Sequence, residues 1–198
     1  MKKGKTFIVS GPSGVGKSTV LHALLEKRED TVFSVSATTR APRVGETDGV
    51  HYFFLNQDTF REWIRQDEFL EYAEFVGNFY GTPKKYVQDA MAQGKDVILD
   101  IEVQGADQIV QKMPEVVRIF IAPPSWEELE RRLTRRGTDS ADKIRERLLR
   151  AQVEFRTAHT YDYFVINDTV ENAVAELEAI MIAEHCKPDE RIAMIDGN

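Results

Sequence analysis

Cysteine is almost absent from this chain, which has one, Cys186, among 198 residues. A single thiol cannot form an intramolecular disulfide, and this fits a reducing compartment. Long apolar runs are also missing. Behind the basic start Met1–Lys5, only Thr6–Ser10 is apolar, which is too short for a signal peptide or a membrane span. We therefore expect a cytoplasmic protein that has no membrane partner.

An excess of positive charge is lacking too, because the formal net charge is -7. Proteins that bind nucleic acid through its backbone are usually basic, so we expect no nucleic-acid partner. An acidic protein can still bind phosphates where its cations are locally focused. The four histidines show neither metal-ligand spacing nor a nucleophile partner. The length suits one compact domain with room for a mobile subdomain.

Short apolar runs alternate with stretches of helical spacing along most of the chain. This alternation predicts an α/β fold, with a parallel sheet of the P-loop NTPase type flanked by helices. The predicted strands are Phe7–Val9, Val97–Leu99, Val116–Ile121 and Tyr163–Ile166, and the predicted helices are Ser18–Glu26, Trp126–Arg135, Ala141–Ala158 and Val170–Ala183.

Residues 33–95 interrupt this alternation. Two strand-like segments, Phe33–Ser36 and His51–Leu55, are separated by the turn-rich stretch Ala41–Gly49, and helical patches follow near Asp58–Gln66 and Lys84–Gln93. We predict a small mixed α/β insertion over about 33–95, with the core at 1–32 and 96–198. An insertion at the carboxyl ends of the strands is where a second substrate would bind.

A phosphate-binding loop lies between the first predicted strand and helix. Its sequence fits G-x-x-x-x-G-K-[ST], in which glycines allow backbone N–H groups to surround a phosphate at a helix N-terminus. Lys17 would reach the β- and γ-phosphates, and the Ser18 hydroxyl would ligate Mg²⁺. The predicted ATP-binding residues here are Gly11, Pro12, Ser13, Gly14, Val15, Gly16, Lys17, Ser18 and Thr19.

Further motifs follow this loop in a specific order. They are S-x-T-T-R-x-P-R from Ser36, G-x-x-Y-F from Gly49, F-L-E from Phe69, G-N-x-Y-G-T from Gly77, and an acidic strand end before Gln104-Gly105. The set, from about Thr6 to Ile182, resembles the guanylate kinase family. The resemblance implies transfer of the γ-phosphoryl group of ATP to GMP, and also to dGMP, within guanine nucleotide metabolism.

The resemblance also implies an acceptor site. Arg40, Arg43, Tyr52 and Tyr80 would hold the GMP phosphate, Ser36, Glu71, Thr82 and Glu102 would contact guanine, and Asp100 would lie near the reacting phosphates and the water shell of the metal. Chemistry supports Glu71, because a carboxylate accepts from both N1 and N2 of guanine, whereas adenine would leave it unpaired. We place Asp100 and Glu102 on one face of a strand.

A region rich in arginine, about 127–157, resembles the family's lid, and Arg132, Arg136 and Arg147 match its phosphate-facing positions. Arginines on a hinged lid can close over transferring phosphates and exclude water. Asn167 matches the adenine-side segment. The expected catalytic set is Lys17, Arg40, Arg43, Arg132, Arg136, Arg147 and Asp100.

Other interpretations remain open. Tyr52 and Tyr80 could be packing aromatics, and Glu71 and several arginines could be solvated. The family often has Asp, Trp and Ser where this chain has Glu102, Tyr72 and Thr82, which affects geometry rather than chemistry.

Three other functions are alternatives. A GTP-hydrolysing switch would need an N-K-x-D segment, which is absent. Adenylate or thymidylate kinase, and a peptide-binding guanylate-kinase-like module, are the further alternatives. The sequence does not determine the oligomeric state.

Overall fold

The computed structural model describes residues 3–135, 139–188 and 191–192. The chain divides into two compact units. Among the described residues, the first unit comprises Val9–Glu29 and the residues from Arg118 onward, and the second unit comprises Lys3–Ile8 and Asp30–Val117. The insertion boundaries expected from the sequence, 33–95, stay a prediction.

Nine strands and seven α-helices, with one short 3₁₀ turn, make up the described part of the chain. In chain order they are β1 Thr6–Ser10, α1 Lys17–Lys27, β2 Thr31–Phe33, β3 Ala37–Thr38, β4 Phe53–Phe54, α2 Gln57–Arg65, β5 Phe69–Phe75, β6 Asn78–Pro83, α3 Lys84–Ala92, β7 Asp96–Asp100, α4 Val103–Lys112, β8 Val117–Ala122, α5 Trp126–Arg135, α6 Ala141–Arg156, the 3₁₀ turn Ala158–Thr160, β9 Tyr163–Ile166 and α7 Val170–Glu184.

The larger sheet has five strands in the order β2-β7-β1-β8-β9. β2 pairs with β7, and β8 pairs with β9, both in parallel. Every residue of β1 is buried, as the unbroken apolar run predicted. The expected fold class is confirmed: the chain is a mixed α/β protein with a parallel five-stranded sheet and flanking helices.

The smaller sheet, of order β4-β3-β6-β5, lies in the second unit. Its longest strands, β5 and β6, form an antiparallel hairpin whose turn at Val76 and Gly77 has positive φ values of 49° and 73°. The sequence pattern does not predict this hairpin because β5 does not alternate: its first three residues are all buried and its last four are all exposed.

The strand-like segment Phe33–Ser36 was placed wrongly. The strand there is β2, Thr31–Phe33, and it belongs to the larger sheet because Phe33 pairs with Ile98 of β7. The smaller sheet begins instead at Ala37, in β3. The predicted helices agree with the structure to within one or two residues at each end.

Each unit has its own apolar core. In the second unit, the buried side chains of α3 and α4 pack with Ile8, Val97 and Leu99 of the larger sheet. In the first unit, Leu129 and Leu133 of α5 pack with Ala151 of α6. Among the described residues, no helix is both long and apolar enough to cross a membrane.

Candidate active site

The phosphate loop connects β1 to α1 and needs glycine at two positions. Gly14 and Gly16 have φ values of 92° and 94°, in the left-handed region. A Cβ atom at Gly14 would lie 2.6 Å from Leu133 Cδ2, and one at Gly16 would lie 2.7 Å from Asn167 Nδ2. A side chain at either position is therefore strained by the backbone conformation, and Leu133 or Asn167 would have to shift to admit it.

Helix α1 begins at Lys17, directly after Gly16. This described helix has no side-chain cap and no acidic residue in its first turn. Its N-terminal N–H groups and positive dipole end are therefore not offset by a local carboxylate. Lys17 and Ser18 stand in the turn that this dipole favours for a phosphate.

Arg132 is tied to the backbone of the phosphate loop. Its Nη1 donates to the Val15 carbonyl at 2.9 Å, its Nη2 donates to the Asn167 carbonyl at 2.9 Å, and its Nε donates to Glu128 Oε1 at 2.6 Å. The buried Asn167 amide also donates to the Val15 carbonyl, at 2.8 Å. The loop, α5 and the segment after β9 are thereby joined by charge-assisted hydrogen bonds.

A cavity of about 320 Å³ lies beside this network. Its volume is near the lower end of the range for small-molecule sites, which is about 300–1,000 Å³. Glu128, held by Arg131 and Arg132, has its pKa lowered to about 2, so it remains anionic and keeps Arg132 oriented. The cavity is lined by Gly14, Gly16, Thr19, Arg132, Arg135, Asn167, Asp168 and Val170.

Arg136 and Arg147 are the other two arginines expected in the lid. Arg136 lies outside the described residues. Arg147, on α6, pairs through Nη1 with Asp139 Oδ2 at 2.8 Å. α6 begins after Ser140, whose hydroxyl accepts from the Lys143 backbone N–H. A phosphate role for Arg147 would compete with its ion pair to Asp139.

In the second unit, Arg40 is held in a defined orientation. Its Nη2 donates to Glu46 Oε1 at 2.8 Å, its Nη1 donates to the Ala41 carbonyl at 2.8 Å, and its guanidinium carbon lies 5.5 Å from the Tyr52 ring centroid. The other oxygen of Glu46 accepts from the Arg43 backbone N–H at 2.7 Å. Arg40 and the Arg43 N–H together lower the pKa of Glu46 to about 2.

The two tyrosines expected at the phosphate lie together. The rings of Tyr52 and Tyr80 meet edge to face with centroids 6.2 Å apart, and both are partly buried. Tyr80 interacts with Arg40 and, after Glu46, helps to raise the pKa of Arg40. The structure thus brings Arg40, Tyr52 and Tyr80 into one cluster, with exposed Arg43 on the same loop.

Glu71 is a buried carboxyl beside a buried hydroxyl. Thr82 Oγ1 donates to Glu71 Oε1 at 2.7 Å, and the two residues are 0% and 8% exposed respectively. Burial raises the pKa of Glu71, and the bond from Thr82 opposes this rise. A Cβ atom at Gly105 would lie 3.3 Å from Glu71 Oε2, so glycine leaves that oxygen uncrowded.

Asp100 and Glu102 do not share a strand face, which corrects the sequence interpretation. β7 ends at Asp100, and Glu102 is the N-cap residue of α4 with extended backbone. The chain turns into a helix there, so the period-2 rule no longer applies. Both side chains are exposed. Ser36 lies partly buried just before β3, and its carbonyl accepts from the Phe53 N–H.

Two glutamates that orient arginines were missed. Glu46 holds Arg40, and Glu128 holds Arg132. Glu128 precedes Arg132 by four residues on one helix, which is a readable spacing. Glu46 lies in a turn-rich loop, where spacing indicates no partner. Thr38 was also missed: its hydroxyl accepts from the Arg40 backbone N–H at 3.2 Å.

Comparison with known proteins shows the family. The family model described as guanylate kinase matches residues 3–184. The chain belongs to the guanylate kinase family. A guanylate kinase from Syntrophomonas wolfei is 50% identical over 94% of this chain and 95% of its own length. One from Thermus thermophilus is 52% identical over 92% of this chain and 82% of its own.

A solved structure is similar as well. The crystal structure of guanylate kinase from Anaplasma phagocytophilum has a TM-score of 0.72 and 37% identity, and it covers 94% of this chain and 89% of its own. The resemblance to the guanylate kinase family is therefore confirmed. So is the expected activity: the chain is a nucleoside monophosphate kinase that transfers a phosphoryl group from ATP to GMP.

Proposed function

We propose that each unit binds one substrate of this reaction, ATP at the phosphate loop of the first unit and GMP at the acceptor cluster of the second. The observation that carries the acceptor assignment is the buried Glu71–Thr82 pair. The donor residues are Gly11, Pro12, Ser13, Gly14, Val15, Gly16, Lys17, Ser18, Thr19 and Asn167. The acceptor residues are Ser36, Arg40, Arg43, Tyr52, Glu71, Tyr80, Thr82, Asp100 and Glu102.

Guanine recognition follows from the chemistry of Glu71. Thr82 occupies one lone pair of Oε1, and Oε2 faces the space that Gly105 leaves open, so both oxygens can still accept a hydrogen bond. A carboxylate there accepts from the N1 and N2 donors of guanine. Adenine presents no N1 proton, so the buried carboxylate would lose its partner at a cost of about 1–3 kcal/mol or more. Sites of this kind reject the wrong base strongly.

The monophosphate would be held by Arg40, Arg43, Tyr52 and Tyr80. Arg40 is prepared for this role because Glu46 and the Ala41 carbonyl fix two of its nitrogens and leave further N–H groups of the guanidinium for a ligand. A pre-oriented guanidinium loses little rotamer entropy on binding an anion. Tyr52 and Tyr80 supply phenolic hydroxyls beside it.

On the donor side, Lys17 would neutralise the β- and γ-phosphates while the loop backbone binds them. Ser18 would hold Mg²⁺, which supplies Lewis-acid charge neutralisation when bound. Within the described residues no cluster of three or more acidic, histidine or cysteine side chains forms a metal cage. Mg²⁺ commonly takes phosphate oxygens and one or two protein oxygens, so the Ser18 hydroxyl suits it. Asp100 would contact its water shell.

The proposed transfer is an in-line attack by a GMP phosphate oxygen on the γ-phosphorus of ATP, forming that P–O bond as the bond to ADP breaks. The second pKa of a phosphate monoester is about 6, so GMP is already largely dianionic at neutral pH. No general base is needed. Lys17, Arg40, Arg43, Arg132, Arg136 and Arg147 would act by positioning and by offsetting charge.

We also propose that the insertion at about 33–95, which follows the end of β2 at Phe33, forms a mobile subdomain that carries GMP, with a lid over about 127–157. The partners would be nucleotides only, without nucleic acid or membrane, and the chain would act in the cytoplasm. The net charge of -7 supports the exclusion of nucleic acid, and the single cysteine supports the cytoplasm.

The test is ADP release measured with GMP, dGMP, AMP, UMP, CMP and dTMP as acceptors, for the wild-type chain and for Glu71→Gln. We expect GMP and dGMP to be used. Glu71→Gln should raise KM for GMP by about 100-fold, because the amide cannot accept from both guanine donors. KM for ATP should stay within about twofold. An unchanged KM for GMP in this variant would refute the guanine assignment.

A further inference from the structure

The strand that carries Glu71 is irregular at that residue. β5 and β6 pair in register from Phe75 back to Tyr72, which faces Gly81, but Phe69 faces Pro83. Three residue steps on β5 thus oppose two on β6, so one extra residue lies between Phe69 and Tyr72. A bulge of this kind re-aims side chains beside active sites, and here it places Glu71 with Thr82.

β5 is also the edge strand of its sheet, in the order β4-β3-β6-β5. An edge strand presents backbone N–H and C=O groups that no further strand can pair. A bulge at an edge increases the number of unpaired backbone groups, because the extra residue is not paired in the hydrogen-bond ladder with the neighbouring strand. The unpaired backbone N–H and C=O groups of the segment Phe69–Tyr72 must therefore find hydrogen-bond partners outside the sheet, and those partners also hold the segment in place.

Helix α4 provides those contacts. Lys112 Nζ donates to the Phe69 carbonyl at 2.6 Å. Gln108 accepts from the Tyr72 N–H and donates to the Tyr72 carbonyl, each at 3.4 Å. Both backbone ends of the bulged segment are thus held by side chains of one helix, and Glu71 lies between them.

The spacing along α4 explains why these side chains act together. Gly105, Gln108 and Lys112 are three and four residues apart, so they share one face of the helix. Gly105 faces the Glu71 carboxylate, where a Cβ atom would also lie 2.6 Å from Ile101 Cγ2. The neighbouring face of α4 is buried: Ala106 and Ile109 pack in the core with Leu70 and Leu99. The helix is therefore a fixed support.

Asp67 extends this support to the second strand of the hairpin. It lies just before β5 with φ 53° and accepts from Lys112 and from Lys84, each at 2.6 Å. Lys84 directly follows β6, which carries Thr82. Lys112 and then Lys84 lower the pKa of Asp67 to about 2. One carboxylate thus links the ends of both strands to α4.

We propose that Lys112 and Gln108 of α4 are positioning residues for guanine recognition, which hold the β5 bulge so that the Glu71 carboxylate points at the base. This inference rests on the proposed role of Glu71. Asp67 is exposed, and exposed ion pairs contribute little by themselves. The essential contact is therefore that of Lys112 with the part-buried Phe69 carbonyl.

The experiment compares GMP with IMP, which keeps N1–H but lacks the 2-amino group. A misplaced Glu71 loses more with GMP than with IMP, so the ratio of their kcat/KM values should fall. Lys112→Met should lower this ratio about fivefold to tenfold and raise KM for GMP, with KM for ATP unchanged. Lys112→Arg should restore the ratio, because it can still donate to the Phe69 carbonyl. Gln108→Leu should lower it about twofold to threefold.

Lys85→Met is the matched control, because Lys85 pairs only with Asp89 of its own helix among the described contacts. A Lys112→Met variant with an unchanged GMP to IMP ratio would overturn the proposal, as would an equal loss of kcat with both acceptors. If Lys112→Met does not give a cooperative thermal transition, the Gln108→Leu ratio decides. Glu71→Gln separates the two hypotheses. If this variant leaves KM for GMP unchanged, the proposed function fails. If it raises KM for GMP but Lys112→Met and Gln108→Leu both keep the wild-type GMP to IMP ratio of kcat/KM, this inference alone is overturned.

Discussion

In the first unit the proposed phosphate site is made mainly of main chain, and in the second unit the proposed acceptor site is made mainly of side chains. The donor loop depends on glycine conformations at Gly14 and Gly16 and on the start of α1. The acceptor cluster depends on Arg40, Tyr52 and Glu71, which come from separate parts of the chain and are each oriented by another residue. Main-chain sites are local in sequence, and side-chain sites are not.

In both units, however, a glutamate orients an arginine through an ion pair. Glu46 orients Arg40 and Glu128 orients Arg132, through ion pairs of 2.8 Å and 2.6 Å. Each arginine also donates to backbone carbonyls of its own unit. If each unit binds its own substrate, a substitution that frees one of these arginines should alter KM for one substrate only.

The largest effect is expected at the single side-chain charge of the donor loop. Lys17→Met should lower kcat by about 10²–10³-fold or more, because it removes a cation from the transferring phosphate and leaves the backbone cradle in place. Turnover by ADP release is the measurement, with thermal unfolding to show that the fold persists. Near-normal turnover would mean that the loop backbone alone suffices.

A smaller effect is expected at Glu46. Glu46→Gln should raise KM for GMP about tenfold, because Arg40 loses its charged partner, and KM for ATP should not change. Steady-state kinetics with each substrate varied in turn is the measurement. Glu62→Gln is the control, since Glu62 forms an exposed ion pair with Arg65 on α2. A rise in both KM values would contradict the separation of the two halves.

Glu128 should give the mirror result with a smaller magnitude. Glu128→Gln is expected to raise KM for ATP about threefold to fivefold and to leave KM for GMP unchanged. The loss is limited because Arg132 keeps its bonds to the Val15 and Asn167 carbonyls. The same kinetic series tests it. An effect confined to GMP would place Arg132 with the acceptor instead.

The smallest effect concerns pH. Burial raises the pKa of Glu71, so on acidification its carboxylate is protonated at a higher pH than an ordinary glutamate would be. KM for GMP should therefore rise as pH falls toward that raised pKa, by a factor of a few. Glu71→Gln should lose this component and keep the one due to the GMP phosphate. Identical pH profiles for the two proteins would count against Glu71.

The same shift has a consequence for stability. A carboxyl whose pKa is raised in the folded state favours folding when protonated, and this contribution is lost as pH rises through the raised pKa. Glu71→Gln should therefore be at least as stable as the wild-type chain at neutral pH, because the amide is neutral at every pH and can still accept from Thr82. A binding site that costs stability is an expected result of burying a charge for recognition.

The sequence by itself was sufficient for the family, the α/β class, the glycine-rich loop between β1 and α1 and most of the helices, but not for α4 or for the place of β2 in the larger sheet. These features depend on neighbours in sequence: apolar runs, helical spacing, and eight consecutive loop residues from Gly11 to Ser18. It also identified Glu71 and Thr82 as candidates, through motifs, but it did not show that they contact each other.

Tertiary structure alone decided how the acceptor side chains are held. The hairpin of β5 and β6 was hidden because β5 does not alternate: its first three residues are buried, where the strand is bulged, and its last four are exposed, where pairing is regular. Glu102 was misplaced because β7 ends at Asp100, two residues earlier. Lys112 reaches the Phe69 carbonyl across 43 positions of sequence. Such contacts follow from how a bulged edge strand meets a packed helix, and no local pattern of residue types encodes that meeting.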